Sequence, residues 1–391
     1  MVINIRYEDA LSKASPKLKD KIIYSVELLR KSESLALLYD SEDGFWLGFS
    51  GGKDSQALIH IAQLAGVKFK AYFSPTSVDP PEVIRFIRRE YPEVQFTKLK
   101  ESIYQVFLRK KCLPSMKIRW CCAEFKEKGG ENKVTLVGVR HAESVKRSKR
   151  NEVEVTGKKF SGNLEGFKDF RAMRMKKKLK RKLTEEEKQF DQFSEHKETM
   201  ISCLGGKDKI VISPIIDWDD EDVWEFLNDV VEVPHCELYE QGQHRIGCIC
   251  CPMATTKNII AQAERYPHVK ERWIQSIMKL RKDAMSQDPP PTFTSNSSGY
   301  TNCRSQAGQF LPPMRPFEGR EGGEKYLAPT DRNMGGKFLD SDNGNSSAVV
   351  AEYNEQRERK VAEAIWEWWI SKLPYKQWYA RKYLQNKINF D

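Results

Sequence analysis

The spacing of apolar residues changes repeatedly along this chain. Short apolar or alternating runs predict five β-strands, over residues 45–49, 67–73, 94–99, 133–139 and 209–215. Between several of these runs apolar residues recur at three- and four-residue steps, the spacing of a helix with one buried face. Strands that alternate with helices predict an α/β fold with a doubly wound parallel sheet, in which ligands bind beyond the carboxyl ends of the strands.

The same pattern divides the chain into segments. Residues 1–40 are predicted to be helical and to serve packing, and residues 41–260 to form the α/β domain. Within that domain, residues 151–207 show little periodicity and are predicted to be an insertion rather than part of the sheet. Residues 261–391 are predicted to be a C-terminal extension. It is irregular over the Pro-, Gly-, Ser- and Asn-rich stretch 283–348 and helical after it.

Six consecutive residues after the first predicted strand carry the clearest chemistry. They are Ser50, Gly51, Gly52, Lys53, Asp54 and Ser55. The glycines let the backbone approach a ligand, and free N–H groups at the start of the next helix favour an anion. The serines add hydroxyl donors and Lys53 adds a positive charge. The spacing is not that of the Walker loop, so we predict a phosphate-binding loop of another kind.

Two other segments follow predicted strands and are expected at the same edge of the sheet. The loop after the second strand offers Thr76 and Asp79 as nucleotide-binding residues. The segment after the fourth strand offers Gly138, Arg140 and Glu143. An arginine there is placed to bind a phosphate through two N–H groups, and Glu143 either fixes that arginine or accepts from a ribose.

Nine cysteines are present, and five of them lie in two short stretches. In a chain expected to be cytosolic, this clustering indicates metal or redox chemistry rather than disulfides. Two sets of four thiolates remain open: Cys121, Cys122, Cys248 and Cys251, or the same set with Cys236 in place of Cys122. Either set suits a 4Fe–4S cluster, with zinc as the alternative.

The net charge of +10 is concentrated in one basic run. The densest part consists of Lys176, Lys177, Lys178, Lys180, Arg181 and Lys182. One interpretation is an arm that binds nucleic acid. The other is a solvated helix, because the Glu-rich stretch that follows offers ion-pair partners.

Two further segments are assigned to packing. The acidic residues 219–222 suit the start of a helix whose apolar face is buried, since carboxylates complement the helix dipole. Near the C-terminus, Trp366, Trp368 and Trp369 are predicted to pack rather than to stack on nucleic-acid bases. No stretch has the apolar length of a membrane helix, and residues 1–6 lack a signal-peptide core. We therefore expect a cytoplasmic protein with no membrane partner.

Taken together, the motifs resemble those of the phosphoadenosine phosphosulfate (PAPS) reductase family. The phosphate loop looks like the PP-loop of the ATP pyrophosphatases. It is joined by Gly138-Val139-Arg140 with Glu143, by Pro214-Ile215 with Trp218, and by the two cysteine stretches. The resemblance covers roughly residues 45–260. It implies an adenine nucleotide α-hydrolase-like fold that binds ATP with Mg²⁺.

The resemblance also implies a direction for the chemistry. Cysteine pairs placed like these carry a 4Fe–4S cluster in adenylyl-sulfate reductases and in the sulfur-transfer ATPases of DNA phosphorothioation. The reductases act through a cysteine in a C-terminal Glu-Cys-Gly-Leu-His type motif. That motif has no counterpart here, where the last cysteine is Cys303. The chain is therefore closest in kind to the sulfur-transfer ATPases.

We accordingly expect an ATP pyrophosphatase that adenylates an acceptor, DNA or RNA, before sulfur arrives from a donor such as a cysteine desulfurase. Lys53 and Arg140 would stabilise charge as the α–β bond breaks, and Asp54 would orient the loop or a metal-bound water. Two alternatives remain open. One is a sulfonucleotide reductase acting on PAPS or adenylyl sulfate, and the other is a non-catalytic ATP-binding regulatory module.

Overall fold

The computed structural model describes residues 5–179, 209–285, 346–373, 377–378 and 381–382. The chain forms two compact units. The first, here called the sheet unit, comprises Met1–Leu99 and Cys122–Cys248. The second, here called the helical unit, comprises Lys100–Cys121 and Ile249–Asp391.

The sheet unit contains seven strands in the order β3-β2-β1-β4-β7-β5-β6. They are β1 (Phe45–Gly48), β2 (Phe69–Phe73), β3 (Gln95–Phe96), β4 (Val134–Leu136), β5 (Val153–Val155), β6 (Phe160–Gly162) and β7 (Ile210–Ile212). The first five strands in that order pair in parallel. All five predicted strands are thus present, each shorter than its apolar run, and the predicted α/β fold is confirmed.

The order in which the chain adds strands to the sheet reverses between β1 and β4. From β1 the chain moves outward to β2 and β3 on one side, whereas β4 and β7 extend the sheet on the other. Such a reversal leaves a crevice beyond the carboxyl ends of the two central strands, which is where open α/β sheets bind ligands. The phosphate loop follows β1 and the Arg140 segment follows β4. The topology therefore brings these two predicted segments to one crevice.

The prediction that residues 151–207 lie outside the sheet is wrong for their first part. Strand β5 pairs antiparallel with β7, and β6 pairs antiparallel with β5, so a hairpin extends the sheet. Val153 and Val155 are buried. Each strand is only three residues long and the turn between them uses Gly157 at φ +75°. So short an alternation is not distinguishable from a loop in the sequence.

The helices cover the sheet and supply most of the core. Those that begin in the sheet unit are α1 (Tyr7–Lys13), α2 (Pro16–Tyr39), α3 (Lys53–Ala65), α4 (Pro81–Glu90), α7 (Leu164–Leu179) and α8 (Asp220–Glu225). Leu58 and Ile61 of α3 are fully buried, as their spacing predicts. Helix α3 ends where Gly66 adopts φ +68°, a left-handed conformation that favours glycine.

The helical unit is built around aromatic residues. Its helices are α5 (Ile103–Lys110), α9 (Thr256–Arg265), α10 (Pro267–Met285) and α11 (Ser346–Ser371), and α6 (Trp120–Phe125) begins in it. The Trp273 ring lies 5.2 Å from that of Tyr104 and 5.1 Å from that of Trp369. Trp366 and Trp369 are buried, so they pack as predicted. The irregular stretch 283–348 lies almost entirely outside the described residues. Among the helices that are described, none combines the length and apolar character needed to cross a bilayer.

Candidate active site at the phosphate loop

The phosphate loop, residues 50–55, connects β1 to α3 in a conformation that requires glycine. Gly51 adopts φ +73°, and a Cβ there would lie 2.9 Å from Val83 Cγ1 on α4. Gly52 has an extended backbone and caps α3, whose first residue is Lys53. The first N–H groups of a helix have no partner within the helix. They begin here beside the crevice, which is the arrangement that binds an anion.

The two serines shape the loop. Ser50 N and Ser50 Oγ both donate to Ser55 Oγ, at 3.1 and 3.2 Å. Ser55 Oγ in turn donates to the carbonyl of Gly52 at 2.8 Å. Their protons are therefore spent inside the loop. The predicted role of the serines as phosphate donors stays a prediction, while their part in holding the loop is evident in the structure.

Arg140 is buried next to the loop and is held on three sides. Its side chain is 1% exposed. Nε donates to Asp54 Oδ1 at 2.8 Å and Nη2 to Asp220 Oδ1 at 2.5 Å. Nη1 donates to the carbonyl of Trp218 at 3.2 Å. Gly138 permits this approach, because a Cβ there would lie 2.6 Å from the carbonyl oxygen of Asp54. The cation at the crevice is thus fixed in orientation.

Lys53 is the second buried cation, and Asp220 links it to the first. The Lys53 side chain is 7% exposed, and its Nζ lies 3.4 Å from Asp220 Oδ1. Nζ also donates to the carbonyl of His244 at 3.5 Å and lies 5.9 Å from the centre of the Trp224 ring. Burial tends to raise the pKa of Asp220, but Arg140 and Lys53 outweigh it and the pKa is lowered. Asp220 is therefore an anion that holds both cations.

Sequence reasoning missed Asp220 because it lies in an acidic run with an ordinary explanation. Asp219 and Asp222 cap α8 reciprocally, the backbone N–H of each donating to the carboxylate of the other at 2.7 and 2.9 Å. Both carboxylates also pair with lysines of α2. The packing interpretation is correct for these two residues. The one signal for Asp220 was that a capping box uses only the first and fourth positions of such a run.

Glu143 and His141 hold the Arg140 segment in place. Glu143 Oε1 accepts from the backbone N–H of Arg140 at 3.1 Å, while Oε2 pairs with Arg147 and lies 3.3 Å from Arg245. The predicted fixing of the arginine thus acts through its backbone. His141 Nδ1 contacts a carboxylate oxygen of Asp217 at 2.8 Å and Nε2 the carbonyl of Arg150 at 2.8 Å. Both ring nitrogens are engaged, which is a structural role.

Tyr239 contacts the loop although nothing in the sequence marked it. The backbone N–H of Lys53 donates to the Tyr239 hydroxyl at 2.8 Å, across 186 positions of sequence. Its ring lies 5.0 Å from that of Trp224 and 6.1 Å from that of His235. A single tyrosine in an irregular segment carries no periodic signal. Only the folded chain therefore reveals this contact.

The loop after β2 turns toward a cysteine. Thr76 donates to Asp79 through its backbone N–H at 2.6 Å and through Oγ1 at 2.9 Å. Thr76 Oγ1 also lies 3.6 Å from Cys248 Sγ. Lys126 is an exposed residue, and its ammonium group hydrogen-bonds to the side chain of Cys248. The pKa of Lys126 is raised, chiefly by Cys248 and also by Asp79. Burial raises the pKa of Asp79. Of the two predicted nucleotide-binding residues, Thr76 therefore contacts a thiol, and Asp79 is bonded to Thr76.

The predicted metal ligands are divided between the two units. Cys122, Cys236 and Cys248 belong to the sheet unit, whereas Cys121 and Cys251 belong to the helical unit. Cys236 is buried, and burial raises its pKa. Over the described ranges of the chain, no group of three or more His, Cys, Asp or Glu side chains is arranged to hold a metal ion. The four-thiolate site therefore stays a prediction from the cysteine spacing.

The basic run is described only in part. Helix α7 reaches Leu179, and Lys176 is exposed on it. The side chains of Lys177 and Lys178 lie outside the description, and so do the whole of Lys180, Arg181 and Lys182. Both interpretations of the basic run, a nucleic-acid-binding arm and a solvated helix, therefore stay open.

Comparison with known proteins gives relatives that are themselves uncharacterized. One protein of Methanocaldococcus jannaschii is 26% identical over 241 residues, covering 60% of this chain and 48% of the relative. A second from that organism is 23% identical over 240 residues, covering 58% of this chain and 40% of the relative. The chain thus spans less than half the length of these curated relatives.

Two solved structures give weak overall superpositions. Candida glabrata FMN adenylyltransferase in complex with FAD and inorganic pyrophosphate has a TM-score of 0.38 at 14% identity, covering 62% of this chain and 68% of that chain. PAPS reductase from Candida auris, in a phosphate complex, has a TM-score of 0.32 at 15% identity, covering 57% and 93%.

A family comparison covers the crevice itself. Residues 44–254, more than half of the 391-residue chain, match the phosphoadenosine phosphosulfate reductase domain. The match includes β1, the phosphate loop, Arg140 and Asp220. The chain therefore belongs to the phosphoadenosine phosphosulfate reductase domain family.

Proposed function

We propose that this chain is an ATP pyrophosphatase that adenylates an acceptor in preparation for sulfur transfer. Membership of the PAPS reductase family indicates an enzyme domain acting on adenine nucleotides. The observation that carries the proposal is the phosphate loop flanked by two buried cations, Lys53 and Arg140. An anion-binding helix start beside fixed positive charges suits the polyphosphate of a nucleotide.

The proposed reaction has two displacements. An oxygen of the acceptor attacks the α-phosphorus of ATP, which arrives as its Mg²⁺ complex. The α–β bond then breaks, and pyrophosphate leaves with the bonding electron pair. Hydrosulfide, released by a thiol reductant from the persulfide of a separate donor such as a cysteine desulfurase, next attacks the adenylated centre, and AMP leaves with the acceptor oxygen and the bonding electron pair. The acceptor ends with sulfur in place of oxygen.

The residues at the loop have distinct parts in the first displacement. Backbone N–H groups of Gly51, Gly52 and the first turn of α3 hold the pyrophosphate, apart from that of Lys53, which donates to the Tyr239 hydroxyl. Lys53 and Arg140 offset the negative charge that grows on the leaving group, and fixed cations of this kind are the strongest electrostatic aid to such a step. Asp54 and Asp220 keep the cations in place. No step uses an iron–sulfur cluster, which stays a prediction from the cysteine spacing.

The proposed acceptor is DNA or RNA, as in the sulfur-transfer ATPases that the motifs resemble. The basic run and the net charge of +10 support this choice. Replacing the lysines of residues 176–182 by Ala is expected to weaken retention of the protein on a nucleic acid and to reduce its salt dependence. Unchanged binding would reduce the run to a solvated face.

The test is the identity of the nucleotide products. Wild-type protein incubated with Mg·ATP and nucleic acid is expected to form AMP and pyrophosphate in equal amounts, measured by chromatography. Lys53→Met is expected to lower the rate at least a hundredfold. The matched control is Lys31→Met, because Lys31 is an exposed lysine of α2 paired with Glu27. It is expected to leave the rate unchanged.

Other outcomes would decide between the alternatives. ATP bound without AMP formation would contradict the proposal and favour the regulatory module. Release of sulfite from PAPS or adenylyl sulfate, in the presence of a reductant, would favour the reductase. Formation of ADP would exclude the α–β cleavage on which the proposal depends.

A further inference from the structure

The Tyr239 hydroxyl lies directly on the phosphate loop. It accepts from the backbone N–H of Lys53 at 2.8 Å. A Cβ on Gly52 would lie 3.4 Å from the same oxygen. The hydroxyl therefore lies beside Gly52 and Lys53, the N-cap and the first residue of α3.

Its segment holds the ring in this place. Cys236 and Leu238, which come just before it in the chain, are fully buried. Tyr239 N donates to the carbonyl of Cys236 at 3.0 Å, and the Tyr239 carbonyl accepts from Gly242 N at 3.0 Å. The ring stands at 89° to the Trp224 ring. A turn with buried anchors and an edge-on aromatic contact restricts the phenol to one direction.

The hydroxyl has a proton to give. The oxygen of the Tyr239 hydroxyl accepts a hydrogen bond from Lys53 N. Within the described residues, the structure shows no acceptor for the hydrogen of this hydroxyl. Burial raises the pKa of Tyr239, so the phenol keeps that hydrogen at neutral pH. The result is an O–H donor next to a loop whose serine hydrogens are spent on one another and on the loop backbone.

We propose that the Tyr239 hydroxyl donates a hydrogen bond to a phosphoryl oxygen held at the loop, and so helps to select phosphate-bearing ligands. The assignment rests on the proposed function, because it assumes that the loop binds phosphate. It adds a ligand-binding residue from a segment remote in sequence, between the loop and Cys248. It also explains why a polar ring end is directed at a helix start.

The experiment uses inorganic pyrophosphate as the probe, titrated by calorimetry into the full chain. Tyr239→Phe keeps the ring and removes only the hydroxyl. We expect about tenfold weaker binding, since a hydrogen bond to a charged group contributes enough for that change. Tyr72→Phe is the matched control, because Tyr72 is a half-buried tyrosine of β2 whose ring stacks on Trp46. It is expected to bind like wild type.

A second readout separates binding from folding. The midpoint of thermal unfolding without ligand is expected to be similar for Tyr239→Phe and wild type. The rise on adding pyrophosphate is expected to be smaller for the variant. Equal affinity would overturn the assignment, and tighter binding would show that the hydroxyl blocks the loop. Failure of wild type itself to bind pyrophosphate would instead overturn the proposed function, and the assignment with it.

Discussion

The phosphate loop and the cysteine stretches bury reactive groups in opposite ways. At the loop, two buried cations each meet a carboxylate, and Asp220 contacts both. Among the cysteines, Cys236 and Cys250 are buried and burial raises the pKa of each, to about 12 for Cys250. A permanent cation needs a partner once it leaves water, whereas a thiol enters an apolar setting by staying neutral.

This difference shows that a buried cation and a buried cysteine are not equally informative about function. A lysine or arginine that is buried beside a helix N-terminus indicates an interaction with an anionic group. A buried cysteine is equally consistent with a small apolar side chain. Cys248 differs from a buried apolar thiol, because Thr76 lies beside it and Lys126 hydrogen-bonds to its sulfur. The contacts of a cysteine are therefore more informative than its spacing.

Removing a buried cation is expected to have the largest effect. Arg140→Met leaves Asp54 and Asp220 without their shared partner and removes three hydrogen bonds of a buried charged group. We expect the free energy of unfolding to fall by about 4 kcal/mol, because hydrogen bonds to a charged group contribute about 1.5–3 kcal/mol each and water reaches the carboxylates that remain. Urea unfolding followed by circular dichroism measures it. Arg6→Met removes an exposed pair with Asp9 and serves as the control, and a similar loss there would contradict the comparison.

A buried group that stays neutral predicts a pH dependence instead. His60 of α3 is fully buried between Gln63 and Tyr91, and burial lowers its pKa to about 4. The unfolded chain has a histidine pKa of about 6.5, so below that pH it binds a proton that the folded chain refuses. Stability is thus complete above pH 6.5 and declines as the pH falls toward 4, by about 3 kcal/mol in total.

This decline is measured by urea unfolding at a series of pH values. His60→Gln lacks the titrating ring, and its stability is expected to change less over the same interval. Because other groups titrate below pH 5, the comparison is between the two slopes from pH 6.5 to 5. Equal slopes would show that His60 takes up its proton in the folded chain.

Substituting a glycine of the loop is expected to have a smaller effect on stability. Comparison with a second glycine separates the contribution of the steric clash from that of backbone strain. Gly51→Ala is expected to lower the free energy of unfolding by about 2 kcal/mol, since it adds a steric clash to backbone strain. The clash arises because the new Cβ would meet Val83 at 2.9 Å. Gly66→Ala has a similar φ of +68° but no atom within 4 Å, so it is expected to lose only about 1 kcal/mol. Thermal unfolding compares them, and equal losses would show that strain alone matters.

Cys236 and Cys250 are expected to be unreactive in the folded chain. This prediction concerns alkylation and not the free energy of unfolding. With iodoacetamide at pH 8, Cys236 and Cys250 are expected to remain unmodified in the folded chain and to react in urea, because the buried thiol is held protonated. Peptide mapping by mass spectrometry measures each site. Rapid modification of Cys250 in native buffer would show that its neighbourhood opens.

Metal content measured on the same sample addresses the cluster predicted from the sequence. Cys248→Ala/Cys251→Ala removes one thiol from each unit. Iron and sulfide that bind to wild type and are lost in this double variant would support the predicted cluster. Zinc lost in the same way would indicate a structural clamp.

The strands, the helices and the phosphate loop were within reach of sequence reasoning because each is specified by neighbours along the chain. The turn at Gly51 and the cap at Gly52 follow from residues a few positions apart. The hairpin β5–β6 was missed, since three-residue strands gain their stability from pairing with β7 rather than from their own pattern. Arg140 and Glu143 were found because they directly follow a buried strand.

Contacts between distant segments were decided by packing alone. Asp220 reaches Arg140 across 80 positions, and Tyr239 reaches Lys53 across 186. Neither residue type nor local spacing distinguishes them from a capping aspartate or a packing tyrosine. The cysteines show the converse, since their spacing is typical of a metal site, yet among the described residues no group of three or more possible ligands is arranged to hold one. Local sequence was enough to predict the glycine loop between β1 and α3, because the geometry of that loop is a backbone property. The residues around that loop depend on where the sheet brings separate segments together.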